Sequence, residues 1–394
     1  MSVGMIISAT TQGSNQNRKK LKLGFALLAT AIIIGGCSSF GAPAPKTDSF
    51  VLSEDVQQEV RNMEPPIIEG QLLPLSEELD YDNIMSIHND KLLFNKTQGF
   101  YMVNIESGNN QQPVKLLDEP VVAVSKDGKK ALYGTAADVY ILDIDSGESN
   151  KIKTSSEMNE RQAKKSDYSP MYFADAQGRY IVSTIKIGVI AVTDTVTDKV
   201  YTIKLADYLK SESFGYNNDF KVYENELYMF ASVSPEEFSS LIKINLEELR
   251  SEKVIQEMEF NRFELLSDGT ILLDGQMGNE DGLFLYNPAA KSFTTVVSVP
   301  VDPDRSYYAF SLSLDEKHIL IDNFRNDTVE IAEFKEGKLL NKKVVLKGYM
   351  LPAIVDLMTS WDMDRNQLYI KLAMFDGSIS SNTVSNIMKL STNE

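Results

Sequence analysis

One pattern comes round seven times between residues 79 and 394, and it leaves little choice of fold. Each copy has an alternating apolar run, a tight polar turn, a second and more apolar run, then a third run ending in another turn. The first turns fall at Asn89-Asp90-Lys91, Asp127-Gly128-Lys129, Ala176-Gln177-Gly178, Glu224-Asn225-Glu226, Ser267-Asp268-Gly269, Asp315-Glu316-Lys317 and Asp364-Arg365-Asn366, spaced 37 to 50 residues apart. Asp-Gly and Asn-containing turns supply the positive φ that hairpins need. Four short strands in each unit of this length predict an all-β, seven-bladed β-propeller over residues 65–394, because one blade cannot bury its faces alone and must stack on the next. Only residues 234–240 and 246–252 offer short candidate helices within it. The last copy stops one strand short, after Asn386-Ile387-Met388-Lys389-Leu390. Residues near 67–75 are therefore predicted to supply the outer strand of the last blade and leave no open edge.

The copy at Ser125-Lys126-Asp127-Gly128-Lys129-Lys130-Ala131-Leu132-Tyr133 resembles the repeat unit of TolB-type and WD40-like bacterial propellers. The resemblance spans roughly 80–391, with this copy the close one. The regular Gly-His and Trp-Asp pairs of WD40 repeats are missing, since Trp361-Asp362 lies before a turn. The resemblance implies the fold and no partner.

The first 36 residues read as an export signal. Arg18, Lys19, Lys20 and Lys22 form a basic region, residues 23–34 are mostly apolar, and two glycines precede Cys37. The apolar run is shorter than the roughly 20 residues of a membrane span. Ile34-Gly35-Gly36-Cys37 resembles the lipobox of bacterial lipoproteins, with Ile34 where Leu is usual. That resemblance implies cleavage before Cys37 and diacylglyceryl on its thiol, an arrangement in which more than one acyl chain gives a lasting anchor. It also implies a palmitate-type lipoprotein held on the extracytoplasmic side of a cell membrane or outer membrane. Residues 37–64 then form a tether with a short helix over 53–63, ended by Pro65-Pro66. Cys37 is the sole cysteine, so no disulfide forms within the chain.

Composition narrows the function classes. The net charge is −17, and removing the signal's four basic residues takes it to −21. So acidic a chain has no basic face for phosphates, which argues against nucleic acid as a partner. Its two histidines, His88 and His318, stand at strand–turn junctions and are expected to be structural; there is no zinc-type His/Cys spacing and no phosphate loop. The pairs Asp143/Asp145, Asp302/Asp304 and Asp362/Asp364 do not continue into a calcium loop. No catalytic residue, metal or cofactor is therefore expected.

A binding surface has one pointer. Tyrosine stands nine residues before the turn marker in four copies, at Tyr81, Tyr168, Tyr216 and Tyr307. There the chain starts an innermost strand beside the axial channel, with Arg305, Tyr308 and Trp361 expected nearby. Tyrosine suits an interface, since its ring buries area while its hydroxyl bonds; equally, it packs well between blades. The expectation is a binding module or scaffold for an envelope protein or peptide, and not an enzyme. The alternative is an envelope glycan hydrolase or lyase, which requires two or more buried carboxylates of raised pKa converging in the channel.

Overall fold

The computed structural model describes residues 67–392 except 75–83, 89, 97, 106–111, 136–137, 156–170, 210–214, 217–218, 233–239, 257–258, 302–307, 324–327, 348–353, 363–365 and 376–382. They belong to the second of the two units into which the chain divides, residues 64–394. The export signal, Cys37, the tether, Tyr81, Tyr168, Arg305 and Tyr307 lie outside the described residues.

Two short strands come first, β1 (Ile67–Ile68) and β2 (Gln71–Pro74). Seven antiparallel sheets follow, each running from an inner to an outer strand. Blade 1 is β3 (Ile84–His88), β4 (Lys91–Lys96), β5 (Gly99–Asn104) and β6 (Val114–Leu117). Blade 2 is β7 (Val121–Val124), β8 (Lys130–Thr135), β9 (Asp138–Asp143) and β10 (Ser149–Lys151). Blade 3 is β11 (Met171–Phe173), β12 (Tyr180–Lys186), β13 (Val189–Asp194) and β14 (Lys199–Lys204). In blade 4 the inner strand is split into β15 (Gly215–Tyr216) and β16 (Lys221–Tyr223), both pairing β17 (Glu226–Ser232), which is followed by β18 (Ser240–Asn245) and β19 (Ser251–Ile255). Blade 5 is β20 (Glu259–Leu265), β21 (Ile271–Met277), β22 (Glu280–Asn287) and β23 (Ser292–Pro300). Blade 6 is β24 (Tyr308–Leu312), β25 (His318–Asn323), β26 (Thr328–Lys335) and β27 (Lys338–Lys347). Blade 7 is β28 (Ile354–Asp362), β29 (Gln367–Phe375) and β30 (Thr383–Ser391). The chain is thus a seven-bladed β-propeller, as the repeat predicts.

The second strand of each blade is apolar on both faces because it is covered on both. In β21, Ile271 and Leu273 pack toward blade 4, while Leu272 packs toward blade 6. Seven apolar clusters result, one at each blade–blade interface, and they run without a break around the ring. Burying one such side chain contributes about 1.5–3 kcal/mol.

Among the described residues of each predicted first turn there is one with positive φ: Asp90, Gly128, Gly178, Glu224 with Asn225, Gly269, Glu316 and Asn366. Two turns share one hydrogen-bond plan. Ser125 Oγ donates to Asp127 Oδ1 at 2.6 Å and accepts from Lys130 N at 2.9 Å. Ser313 Oγ does the same with Asp315 and His318 N, at 2.8 and 2.9 Å.

The ring closes as the short last copy predicts, with one addition. β2 pairs antiparallel with β30, Leu73 opposite Ile387, and completes blade 7 as its fourth strand. β1 pairs with β27 and gives blade 6 a fifth strand. Gly70 carries the chain between them at φ 112°, where a Cβ would stand 2.7 Å from the Lys389 carbonyl oxygen; only glycine fits without displacement.

The one helix among the described residues, α1 (Leu205–Leu209), was not foreseen; it buries Leu205 and Leu209 against the blade 3–4 cluster. Five residues are too few to show a helical period. Of the two stretches read as candidate helices, 246–252 is instead a turn leading into β19. In 234–240 only Ser240 is described, and it opens β18.

Candidate functional site at the channel mouth

The inner strands of blades 2 to 6 end in first turns that converge around a cavity of about 370 Å³. That volume lies within the range of small-ligand sites. Apolar and aromatic walls come from Val124, Phe173, Tyr223, Leu265 and Leu312, and the charged groups are Lys126, Asp175, Lys221, Glu264 and Glu316.

Two of the three carboxylates are committed to holding the rim together. Asp175 accepts from Tyr180 N at 2.5 Å and Arg179 N at 3.1 Å, closing its own turn. Glu316 accepts from Ser267 N and Ser267 Oγ, both at 2.7 Å, and so ties blade 6 to blade 5. Glu316 also sits at φ 61°, a conformation unusual for glutamate. Tyr223 donates its hydroxyl to the Ser267 carbonyl at 2.9 Å, which joins blade 4 to the same turn.

The third carboxylate lies deeper. Glu264 Oε1 meets Lys126 Nζ at 3.4 Å and Lys221 Nζ at 3.5 Å, and Lys221 also reaches Asp219 Oδ1 at 3.2 Å. Burial alone would raise the Glu264 pKa, but the two ammoniums outweigh it and hold the carboxyl below its ordinary value. Burial likewise opposes charge on Lys221, and Glu264 and Asp219 outweigh it, so its pKa is raised. Asp219 lies in the break between β15 and β16, two residues before Lys221.

A buried carboxyl of opposite character stands in blade 5. Asp274 is 3% exposed and its Oδ1 has no hydrogen-bond partner. Burial pushes its pKa up to about 7, against the opposing charge of Arg262 and with a smaller push from Asp219. It does not line the cavity.

Of the four pattern tyrosines only Tyr216 is among the described residues, and it lies at the other end of its inner strand from the first turn. Tyr216 pairs opposite Ala231, at the start of the inner strand, and its ring lies 5.9 Å from Phe220 in the blade 3–4 interface. Its hydroxyl accepts from Gly188 N at 3.4 Å. This is the packing role that competed with the interface reading. Trp361 is also packed between blades, in the blade 6–7 cluster and 7% exposed. Its Nε1 donates to Ser311 Oγ at 3.0 Å and its ring stacks on His318 at 6.3 Å. The structure brings neither to the cavity. Tyr308 opens β24, and His88 closes β3.

Lys126, Lys221, Glu264 and Asp274 were not singled out in the sequence. A signal was there: four residues before the turn marker, the inner strands carry Ala123, Phe173, Leu312 and Trp361 but Lys221 and Glu264 in adjacent copies. Charges at one repeat position of neighbouring blades point into a shared space.

No group of three or more His, Cys, Asp or Glu side chains among the described residues is placed to hold a metal ion. No helix among them is long and apolar enough to cross a membrane.

No protein-family profile and no curated protein sequence matches the chain. Solved structures similar to it include an oligogalacturonate lyase in complex with manganese, at 11% identity and TM-score 0.52, over 82% of this chain and 98% of that one. An oligogalacturonate lyase from Vibrio parahaemolyticus is similar at 11% identity and TM-score 0.50, over 81% and 98%. At this identity the likeness is one of fold, and propellers of one architecture host unrelated functions.

Proposed function

We propose that the chain is a lipid-anchored, extracytoplasmic propeller that binds an envelope protein or peptide at the mouth of its channel. The observation that carries this reading is the cavity at the first turns of blades 2 to 6. It combines aromatic and apolar walls with two lysines in its lining, in a rim locked by Asp175, Glu316 and Tyr223. A rigid rim around a partly polar hollow suits recognition, because little ordering is lost on binding. The anchor rests on the sequence from Arg18 to Cys37.

Two arms test it. Cys37→Ala should abolish palmitate labelling and release the protein from the membrane fraction. Crosslinking in intact cells should recover one discrete envelope partner with the wild type and lose it with Phe173→Ala/Lys126→Ala, a double variant that removes cavity wall and charge. Undiminished recovery with that variant would move the binding face elsewhere.

The fold likeness to oligogalacturonate lyase favours a second reading, a glycan lyase or hydrolase. That chemistry asks for paired carboxylates of raised pKa. Among the described residues near the channel, Asp274 is raised and Glu264 is lowered. Release of an unsaturated, ultraviolet-absorbing product from polyuronide would replace the binding-module reading.

A further inference from the structure

We propose that the channel-mouth cavity is a carboxylate-binding site in which Lys126 and Lys221 clamp an acidic side chain of a partner peptide. This rests on the reading that the mouth is the binding face, and it names the chemistry read there.

Asp175 and Glu316 each have both carboxylate oxygens occupied by donors of the rim. They therefore add little acceptor capacity for a cationic ligand. The lysines are the reverse. Their partners are Glu264 Oε1, at 3.4 and 3.5 Å, and Asp219 Oδ1, at 3.2 Å. These are long for charge-assisted bonds, which settle near about 2.8 Å. The two ammoniums hold more N–H donors than these contacts use.

Position agrees with chemistry. Both ammoniums approach the same oxygen, so they stand within about 7 Å of each other, a gap that one carboxylate with bonds of about 2.8 Å to each can bridge. Both lysines line the cavity beside Phe173 and Tyr223, which give the ligand's carbon skeleton an apolar wall. The net charge of −17 does not forbid this. Charges beyond about 8 Å are largely screened at physiological salt, whereas the clamp acts at contact. Glu264 then plays the part of an internal competitor, filling the position until a better-placed carboxylate displaces it.

Titration calorimetry of the full-length lipoprotein in detergent tests the clamp, with tetraglutamate, tetraglutamine and tetralysine as probes. Saturable binding of tetraglutamate alone is expected. Lys126→Met and Lys221→Met should each weaken it about tenfold, the scale of a lost charge-assisted bond. Glu264→Gln should strengthen it by a similar factor, a gain that loss of a merely structural ion pair would not produce. Unchanged far-ultraviolet circular dichroism and melting would show that the variants fold. Tetraglutamine binding as well as tetraglutamate, or tetralysine binding that Glu264→Gln abolishes, would overturn the clamp while leaving the mouth as the binding face. Absence of binding by all three probes overturns the clamp too, and the intact-cell crosslinking then decides separately whether the mouth binds a partner.

Discussion

The seam of the ring and the mouth of its channel are built from the same repeat but treat their charges differently. At the seam, Asp90 of blade 1 meets two groups of blade 7. Tyr369 donates its hydroxyl to Asp90, Lys389 Nζ lies 3.5 Å from the same carboxylate, and the Tyr369 hydroxyl also lies 2.7 Å from Gln367 Oε1. Asp90 and Tyr369 are nearly inaccessible to solvent. A similar strut joins Tyr180 of blade 3 to Asn225 of blade 4 at 2.6 Å. At the mouth, Lys126, Lys221 and Glu264 meet at 3.4–3.5 Å around a hollow, each about a quarter to a third exposed. The seam buries its polar groups, while the mouth leaves its charges open to a hollow. Burial with a partner is what stability asks of a polar group; access is what a ligand asks of a site.

The contrast predicts a graded series of effects. The largest should come from deleting residues 67–74, which exposes the outer edges of blades 6 and 7; the expected result is loss of the cooperative melt and aggregation through the open edge. Trp361→Ala should follow, at about 3–5 kcal/mol in denaturant unfolding, since a large buried ring is lost from the blade 6–7 interface. Asp274 gives a pH signature. Its carboxyl titrates near pH 7 when folded and near 4 when unfolded, so the folded state takes up the proton. Stability is therefore highest below pH 4 as far as this group is concerned, and falls as pH rises through 4 to 7, by about 4 kcal/mol in all. Asp274→Asn should flatten that slope in melts across the window, and a slope unchanged by the substitution would show that Asp274 is not its source. Tyr369→Phe should cost about 1–2 kcal/mol by removing a hydrogen bond to the buried Asp90. Lys126→Met should be the smallest, within about 0.5 kcal/mol, because its exposed pair adds little to the fold. A large loss there would erase the distinction between seam and mouth.

Much of this architecture was legible in the sequence, for a physical reason. Blade count, turn positions and the closing strand follow from period and turn chemistry, and these are local. Each of the seven first turns read from the sequence contains a residue with positive φ. The staple onto blade 6 was not legible, because β1 has two residues, too few to show a period. The functional end of the channel was not legible either. A tyrosine before the first turn marks a strand start, but whether it faces ligand or neighbour depends on the facing blade, and Tyr216 faces Phe220. Trp361, expected from the sequence near the channel, packs among Leu320, Val329 and Met388. Lys221 and Glu264 stand 43 residues apart in sequence, and only the stacking of blade 4 on blade 5 brings them to 3.5 Å.

The most direct test of the mouth as the binding face uses two positions of one blade. Gln177 is exposed in the first turn of blade 3, at the cavity, and Ile187 is 92% exposed in the next turn, at the opposite end of the channel. A photo-crosslinking amino acid would be placed at each in living cells. One discrete adduct is expected from position 177, lost with Lys126→Met/Lys221→Met, and none from position 187. The same adduct from both, or from 187 alone, would contradict the mouth as the binding face.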